Sequence, residues 1–246
     1  MRINLKTKLV VLAILLLLLP ITIFYLMTIA FQQESLIASE EELNDLARKN
    51  VEQIAKDVYF LLDNTDKLIQ RRLQAAMDYT QSLLKHNPLT FSTEMVTWDA
   101  ENQFSQEVKK VSLPKMLYLQ QWLGMNSDFK VKTPFVDDLY NQFLISSTVF
   151  QRMNEEGDML RIATSIHDEN NNRPIGTYIP AKNPDGSTNP INACILRDEK
   201  YEGLSWVFND WYVLLIEPLK DTTGNIIGMI VSGERIIGSQ LLENSL

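Results

Sequence analysis

Two arginines, Arg152 and Arg161, lie in a stretch of the chain that reads TVFQRMNEEGDMLRIATS. Both ends of the stretch alternate between apolar and polar residues, and a five-residue connection containing Gly157 joins them, which predicts a β-hairpin. A guanidinium group offers a planar fork of N–H donors that matches a carboxylate. Because a cation inside a sheet is costly unless it is paired or lines a wet cavity, these arginines predict either an anion-binding site or a structural ion pair with Glu217 or Asp158.

The register of this hairpin decides which arginine lies in such a site. Pairing Met153 with Met159 places Gln151 opposite Arg161. The sheet then has an apolar row on one face and a polar row that carries this arginine on the other. A turn that is longer or shorter by one residue places Arg152 in the polar row instead, because a one-residue slip moves every side chain of a strand to the opposite face. Both arginines are therefore candidate ligand-binding residues.

Aromatic side chains form the second set of candidate binding residues. A small-molecule site needs an apolar lining with a few converging polar groups. We predict one arginine surrounded by Tyr178 and by Trp211 or Tyr212, with Trp122 also at the site. The alternative for each of these aromatic residues is a place in the packed core, which is the more common role of an aromatic side chain at strand spacing.

The sequence carries no motif that would make the protein an enzyme. It lacks the Gly-x-Ser-x-Gly elbow, the P-loop and the His-Glu-x-x-His helix. The only histidines are His86 and His167, which excludes a histidine-rich metal site. The adjacent acidic residues Asp137 and Asp138 do not converge on one substrate atom, and we interpret them as solvated charges. We therefore predict no catalytic residue, no metal and no cofactor.

The N-terminal residues predict a membrane anchor. Arg2, Lys6 and Lys8 precede an uncharged run from Leu9 to Phe31, longer than the roughly 20 residues that span a bilayer as a helix. Basic residues on the N-terminal side place residues 1–8 in the cytoplasm and the remainder outside. We thus expect residues 9–31 to cross the inner (cytoplasmic) membrane once, with the domain in the periplasm or extracellular space. A cleaved signal peptide is the alternative, although its apolar region is usually about 7–15 residues.

The charge balance limits the possible partners of the outer part of the chain. Three of the 23 Lys and Arg residues precede Leu9, which leaves 20 basic residues against 31 acidic ones. This acidity argues against nucleic acid or anionic lipid as a partner. Cys194 is the only cysteine, so no intrachain disulfide holds the fold.

A long amphipathic helix is predicted for residues 32–88. The chain has no Gly or Pro between Pro20 and Pro88, and apolar residues recur there at three- and four-residue steps. That stripe includes Ala47, Val51, Ile54, Val58, Leu61 and Leu68. Such a helix is too long for one small domain to cover, so its membrane-proximal half is predicted to pair with the same helix of a second subunit.

Beyond Pro88 the apolar period changes from helical to strand-like, which predicts one domain over residues 89–235. Its expected strands are Thr93–Asp99, Gln106–Ser112, the hairpin described above, Gly203–Asn209, Trp211–Pro218 and Ile226–Gly233. Short helices or irregular crossings are expected at Leu113–Gly124, Pro134–Phe143 and Ile191–Arg197. A group of strands that follows one long helix in the sequence indicates an α+β fold. Residues 236–246 are expected to begin a truncated exit helix.

The segments that resemble a known family run in order through most of this region. The chain is similar to the extracytoplasmic sensor domains of bacterial chemoreceptors and sensor kinases, in the single-Cache group called Cache 3/Cache 2 fusion. The matching segments are VTWDAENQF (96–104), VSLPKM (111–116), WLG (122–124), VFQRMNEEGDMLRIATS (149–165), IGTYIPA (175–181), NPDGSTNP (183–190), WVFNDWY (206–212), EPLKD (217–221) and IIGMIVSGE (226–234).

This resemblance implies a long N-terminal helix packed on a PAS-like antiparallel sheet that binds a small molecule. It also implies a homodimer whose membrane-proximal helices carry a signal for chemotaxis or another response. With the arginines, it makes a small organic acid the favoured ligand, and amino acids or amines the second choice. A protein of a different class, singly anchored and using the domain as a structural or docking surface, is the alternative function.

Overall fold

A computed structural model describes residues 4–168, 170–207 and 210–236. The chain divides into two compact units, Met1–Thr65 and Asp66–Leu246. Helix α1 (Leu5–His86) forms the described part of the first unit and contributes its last turns to the second. The predicted exit helix at residues 236–246 lies outside the described residues apart from Ile236.

Helix α1 confirms the prediction of one long helix that ends before Pro88. The absence of helix-breaking residues after Pro20 allows it to continue, and Lys85 and His86 in its last turn interact favourably with the helix dipole. Among the described helices, it is the one long and apolar enough to cross a membrane, and its most apolar part is exposed.

The second unit is built around a mixed but mostly antiparallel sheet. The strands of its described part are β1 (Thr90–Asn102), β2 (Val108–Tyr118), β3 (Gln121–Trp122), β4 (Ser146–Arg152), β5 (Met159–Thr164), β6 (Thr177–Ile179), β7 (Tyr201–Val207), β8 (Asp210–Lys220) and β9 (Ile226–Arg235). Two short helices, α2 (Val136–Phe143) and α3 (Pro190–Leu196), accompany them. This arrangement confirms the predicted α+β class.

The order of the strands places the β4–β5 hairpin at the centre of the sheet. Neighbouring strands follow the order β3-β2-β1-β6-β5-β4-β9-β8-β7. The β1–β6 pair is parallel, and the other pairs are antiparallel. The central strands β4 and β5 are buried along nearly their whole length, so a polar side chain on them must be satisfied inside the protein.

Side chains alternate between two apolar clusters, one on each face of the sheet. On what we call the α1 face, Leu160 packs with Leu73 and Met77 from the last turns of α1. On what we call the α3 face, Met159 packs with Ile195 from α3. The two faces thus have different covers, a long helix on one side and a short helix with its flanking loops on the other.

The β4–β5 hairpin forms as predicted, but between the turn and Phe150 the predicted register is wrong by one residue. Beyond the irregularity between Val149 and Phe150 the predicted register holds, with Thr148 opposite Thr164. Arg152, and not Met153, lies opposite Met159, and Phe150 lies opposite Arg161. The backbone N–H of Met153 instead donates to the carbonyl of Asp158 within the turn. As a result, both arginines lie on the α3 face, because residues that pair directly share a face.

Polar contacts within the turn explain this register. The side-chain oxygen of Asn154 accepts hydrogen bonds from the backbone N–H groups of Gly157 and Asp158, at 3.0 and 2.9 Å. Gly157 has a φ of +97°, a conformation that favours glycine. This Asx-type turn closes the loop around Asn154, so the strand pairs end one residue earlier than the alternation alone suggests.

The predicted helix or irregular crossing at Leu113–Gly124 is also wrong. Strand β2 continues through Pro114 to Tyr118, and the short strand β3 follows. Pro114 pairs with Met95 next to a register irregularity in β1. A proline is compatible with a strand at such an irregularity, where no ladder hydrogen bond is lost.

Gly228 allows the close approach of β9 to β4 at the centre of the sheet. A Cβ atom at this position would lie 2.0 Å from the carbonyl oxygen of Phe150, so the two strands would have to separate. We expect Gly228→Ala to lower the free energy of unfolding by about 3 kcal/mol, the upper part of the usual range for overpacking.

Chemical denaturation would measure this effect, with Gly203→Ala as a matched control. Gly203 also lies in a strand, but the three atoms nearest to its Cβ would be side-chain atoms of Tyr201, the nearest at 3.0 Å. We expect the control to change the stability by about 0.5 kcal/mol or less. Equal effects of the two substitutions would show that the close strand approach is not what requires Gly228.

Candidate functional site

Arg161 is the predicted site arginine that lies inside the sheet. It occupies the middle of β5 on the α3 face and is 6% exposed. One of its terminal nitrogens, Nη1, donates to the hydroxyl of Thr177 at 2.8 Å and to the carbonyl of Pro174 at 3.3 Å. Its guanidinium carbon lies 5.1 Å from the centre of the Phe150 ring. Burial lowers the pKa of this guanidinium to about 10, so it remains charged at neutral pH.

The strand registers identify what surrounds Arg161 on the α3 face. Across the sheet, Arg161 pairs with Phe150, Phe150 pairs with Met229, and Met229 pairs with Pro218. Met159 lies two residues before Arg161 on the same strand and therefore on the same face. The immediate lining is thus apolar and aromatic.

Two buried hydroxyl groups add polarity farther along the same strands. Thr148 on β4 and Thr164 on β5 form a direct pair, and their hydroxyl oxygens are 2.7 Å apart. Both side chains are buried, at 3% and 0% exposed. Thr148 also pairs with Val231, a member of the α3-face cluster. A hydroxyl can donate or accept, so this pair can adjust to either kind of polar group.

The structure does not bring Tyr212 or Trp211 next to Arg161. The row that contains Arg161 meets β8 at Pro218, six positions along the strand from Tyr212. At a rise of about 3.3 Å per residue, this separates them by roughly 20 Å along the strand direction. Tyr212 is buried on the α3 face, and burial raises the pKa of its phenol. Trp211 is 39% exposed.

Tyr178 lies on the opposite face from Arg161. It pairs with Leu160 and packs in the α1-face cluster. Its hydroxyl accepts from the side-chain amide of Asn102 at 3.3 Å, and the ammonium of Lys109 lies 4.3 Å from its ring centre. This tyrosine therefore packs against the β1–β2 hairpin.

Trp122 and Arg152 also lie apart from Arg161. Trp122 is half-buried in β3 at the far edge of the sheet, where the ammonium of Lys115 lies 4.7 Å from its ring centre. Arg152 lies at the end of β4 and donates to the carbonyls of Asn154 and Glu155 at 2.8 and 2.6 Å. Its guanidinium group is thus used to hold its own turn.

A second buried arginine, Arg173, was missed as a structural residue by the sequence analysis. Its guanidinium forms a bidentate ion pair with Asp137, with N–O distances of 2.8 and 2.9 Å. It also donates to the carbonyls of Thr164, Phe129 and Val131. The residue is 3% exposed. These contacts tie the end of β5 to the loop before α2 and to the first turn of α2.

The interpretation of Asp137 as a solvated charge is therefore wrong. Its carboxylate accepts from Arg173 and from the backbone N–H of Thr133, and its side chain is 15% exposed. Its neighbour Asp138 is exposed in its side chain and pairs with Lys132 at the surface. The partner of Asp137 lies 36 positions away in the sequence, so no local pattern indicated this pair.

The two buried arginines differ in the contacts that the structure describes for them. Arg173 is matched by a carboxylate and several carbonyl oxygens, which makes it a structural clamp. Arg161 lies on the apolar α3 face, with Nη1 held by the neutral oxygens of Thr177 and Pro174. A buried charged donor among apolar side chains suits the recognition of a small anion.

Comparison with known proteins identifies the family. Residues 37–242 match the model of the Cache 3/Cache 2 fusion domain, which covers most of the chain. No curated protein and no solved structure matches the chain. Members of this family are extracellular sensor domains for small molecules and are in general not catalytic. The chain therefore belongs to the Cache 3/Cache 2 fusion family, and its long helix and PAS-like sheet form an extracellular small-molecule sensor domain.

Proposed function

We propose that the protein is a membrane-anchored sensor that binds a small organic acid on the α3 face of the sheet, with Arg161 holding the carboxylate. The observation that supports this most is the burial of a charged guanidinium at the centre of that face. The domain lies in the periplasm or extracellular space, behind a single crossing of the inner membrane at residues 9–31. Its output is a signalling response such as chemotaxis.

The chemistry of Arg161 favours an anion over an amine as ligand. A guanidinium has only donors and keeps its positive charge at neutral pH, so it attracts a carboxylate and repels an ammonium group. The cost of its burial is visible in the lowered pKa, at about 10. A bound carboxylate would offset part of this cost through charge-assisted hydrogen bonds.

Strand β9 offers a route by which occupancy of the site could reach α1. Met229 lies in the same row as Arg161, and β9 continues from there to Glu234. The carboxylate of Glu234 accepts from Arg72 on α1 at 2.5 Å, and Arg72 also donates to the carbonyl of Phe143 at the end of α2. A ligand that favours one position of β9 would therefore bias α1 by a small displacement.

A thermal-shift screen of the full chain in detergent micelles would test this function. Small carboxylic acids, amino acids and amines would be compared, and we expect the acids to raise the midpoint in a saturable way. A ligand at 100 times its Kd adds about 2.7 kcal/mol of stability. A response to amines without carboxylates would contradict the acid specificity. The absence of any response, with a protein recovered by crosslinking, would support the docking function instead.

We further propose that two copies of α1 pair in parallel along residues 32–67. The apolar stripe of this segment is exposed in the single chain, with Ile54 at 61% and Leu61 at 66%. Exposed apolar side chains repeated at helical spacing are typical of a coiled-coil seam. The pair would bring two sensor domains to one membrane site.

Cysteine crosslinking in membranes would test this dimer. In a chain with Cys194→Ser, Asn50→Cys should form a disulfide between copies, and adding Ile54→Lys and Leu61→Lys should abolish it by placing like charges in the seam. Gln53→Lys with Asn64→Lys, which add the same charge at polar positions, is the matched control and should leave the crosslink in place. A crosslink that survives the seam substitutions would contradict the proposed pairing.

A further inference from the structure

Helix α3 carries a buried side-chain amide, Asn192, next to the α3 face of the sheet. The residue is 1% exposed and lies one helical turn before Ile195, which packs in the α3-face cluster. Its Nδ2 donates to the carbonyls of Gly157 and Ile179, at 2.9 and 3.0 Å. Both amide hydrogens are thus used, which fixes the orientation of the amide group.

The oxygen of this amide has no donor. Within residues 4–168, 170–207 and 210–236, no group donates to Asn192 Oδ1 although the atom is buried. The start of α3 is satisfied separately, because the side chain of Asn189 accepts from the backbone N–H groups of Ile191 and Asn192. A buried acceptor without a donor is destabilising, and such atoms in a native structure call for an explanation.

Asn192 and Arg161 are joined to neighbouring positions of the same strand. Arg161 donates to the hydroxyl of Thr177, and Asn192 donates to the carbonyl of Ile179. These two residues of β6 are separated by two positions, or about 7 Å. Ile179 also pairs with Met159, which lies two residues before Arg161. The β6 residues that Arg161 and Asn192 contact therefore lie about 7 Å apart along the strand.

We propose that Asn192 Oδ1 accepts a hydrogen bond from a hydroxyl or ammonium group of the ligand whose carboxylate binds Arg161. This assigns the ligand to the class of small hydroxy acids or amino acids in which the donor lies a few carbons from the carboxylate. A ligand of this class would bind Arg161 through its carboxylate and donate to the amide oxygen from its other end. The inference rests on the proposed function, since it names the second polar contact in the same site.

Calorimetric titration of the full chain in detergent would test the ligand class with two matched series of acids. The first is butyrate, 4-hydroxybutyrate and 4-aminobutyrate, and the second is succinate, malate and aspartate. In at least one series we expect the hydroxyl to tighten binding by about 3- to 10-fold and the ammonium by about 10- to 150-fold over the donor-free acid.

Substitutions in and next to α3 would test whether Asn192 causes the preference for acids that carry a hydroxyl or ammonium group. Asn192→Ala should bind the donor-bearing acids no more tightly than the donor-free acid. Asn189→Ala, which removes the N-cap of the same helix, is the control and should still bind the donor-bearing acids more tightly than the donor-free acid. Asn192→Ser, whose side chain is shorter, provides a second test where the alanine variant does not fold. A thermal melt of each ligand-free variant establishes that it is folded.

The outcomes separate this inference from the proposed function. Acids that bind without any preference for a hydroxyl or ammonium group would overturn the role of Asn192 and leave the acid sensor standing. A preference that persists in a folded Asn192 variant would overturn it as well. Failure of all six acids to bind would overturn the proposed function and this inference together.

Discussion

Replacing Arg173 with methionine should lower the free energy of unfolding by about 3–5 kcal/mol, the usual cost of removing one partner from a buried ion pair. The substitution would leave the carboxylate of Asp137, whose side chain is 15% exposed, without its bidentate partner. It would also remove the donors to the carbonyls of Thr164, Phe129 and Val131. Methionine has a similar length and no donor, so the loss reports these contacts and not an empty volume.

Urea denaturation of the full chain in detergent would measure this loss, with Arg152→Met as the matched control. Arg152 donates only to carbonyls of its own turn among its described hydrogen bonds, and it is partly exposed. We expect the control to cost about 1 kcal/mol, the usual net value of a hydrogen bond. A loss of similar size for both arginines would contradict the role of Arg173 as a structural clamp.

Replacing Arg161 with methionine should change the stability little and weaken the ligand response strongly. This is the opposite of what we expect for Arg173→Met, which should mainly lower the stability. The lost hydrogen bonds are offset by removal of a charge that is costly to bury, so we expect the ligand-free stability to change by about 1 kcal/mol or less. The acceptors would remain partly satisfied, because the hydroxyl of Thr177 also donates to the carbonyl of Pro174 at 3.0 Å. At the same concentration, the acid that stabilises the parent should raise the thermal midpoint of the variant much less.

Thermal melts of this variant with and without the acid would separate the two effects. A variant that unfolds at a much lower temperature even without ligand would show that Arg161 supports the fold in the way that Arg173 does. A normal ligand response in a stable variant would show that the acid binds elsewhere. A comparison of Arg173→Met with Arg161→Met therefore distinguishes an arginine that supports the fold from an arginine that binds the ligand.

The architecture could be predicted from the sequence because its determinants are local. The absence of Gly and Pro before Pro88 predicted helix α1, and the change to a two-residue apolar period predicted the strands that follow. The register of the central hairpin could not be predicted in the same way. It depends on the side chain of Asn154 within the turn and on a bulge between Val149 and Phe150, neither of which changes the apolar pattern.

The candidate site was predicted only in part, because it depends on long-range pairing. Arg161 was identified from the cost of a cation inside a strand, which is a local argument. Whether Tyr178 or Tyr212 joins it depends on the strand order, and the structure places one on the other face and the other far along β8. The amide of Asn192 has no sequence signature, since its partners are the backbone carbonyls of Gly157 and Ile179.

Calorimetric titration of the parent, Arg161→Met and Arg152→Met with the acid found in the thermal-shift screen tests the central claim most directly. A charge-assisted hydrogen bond contributes about 1.5–3 kcal/mol, so Arg161→Met should weaken binding by roughly 10- to 150-fold. Arg152→Met, which changes a turn on the same face, should leave the Kd within about twofold of the parent. Equal affinity of the parent and a folded Arg161→Met variant would show that the carboxylate is not held by Arg161 and would contradict the proposed site.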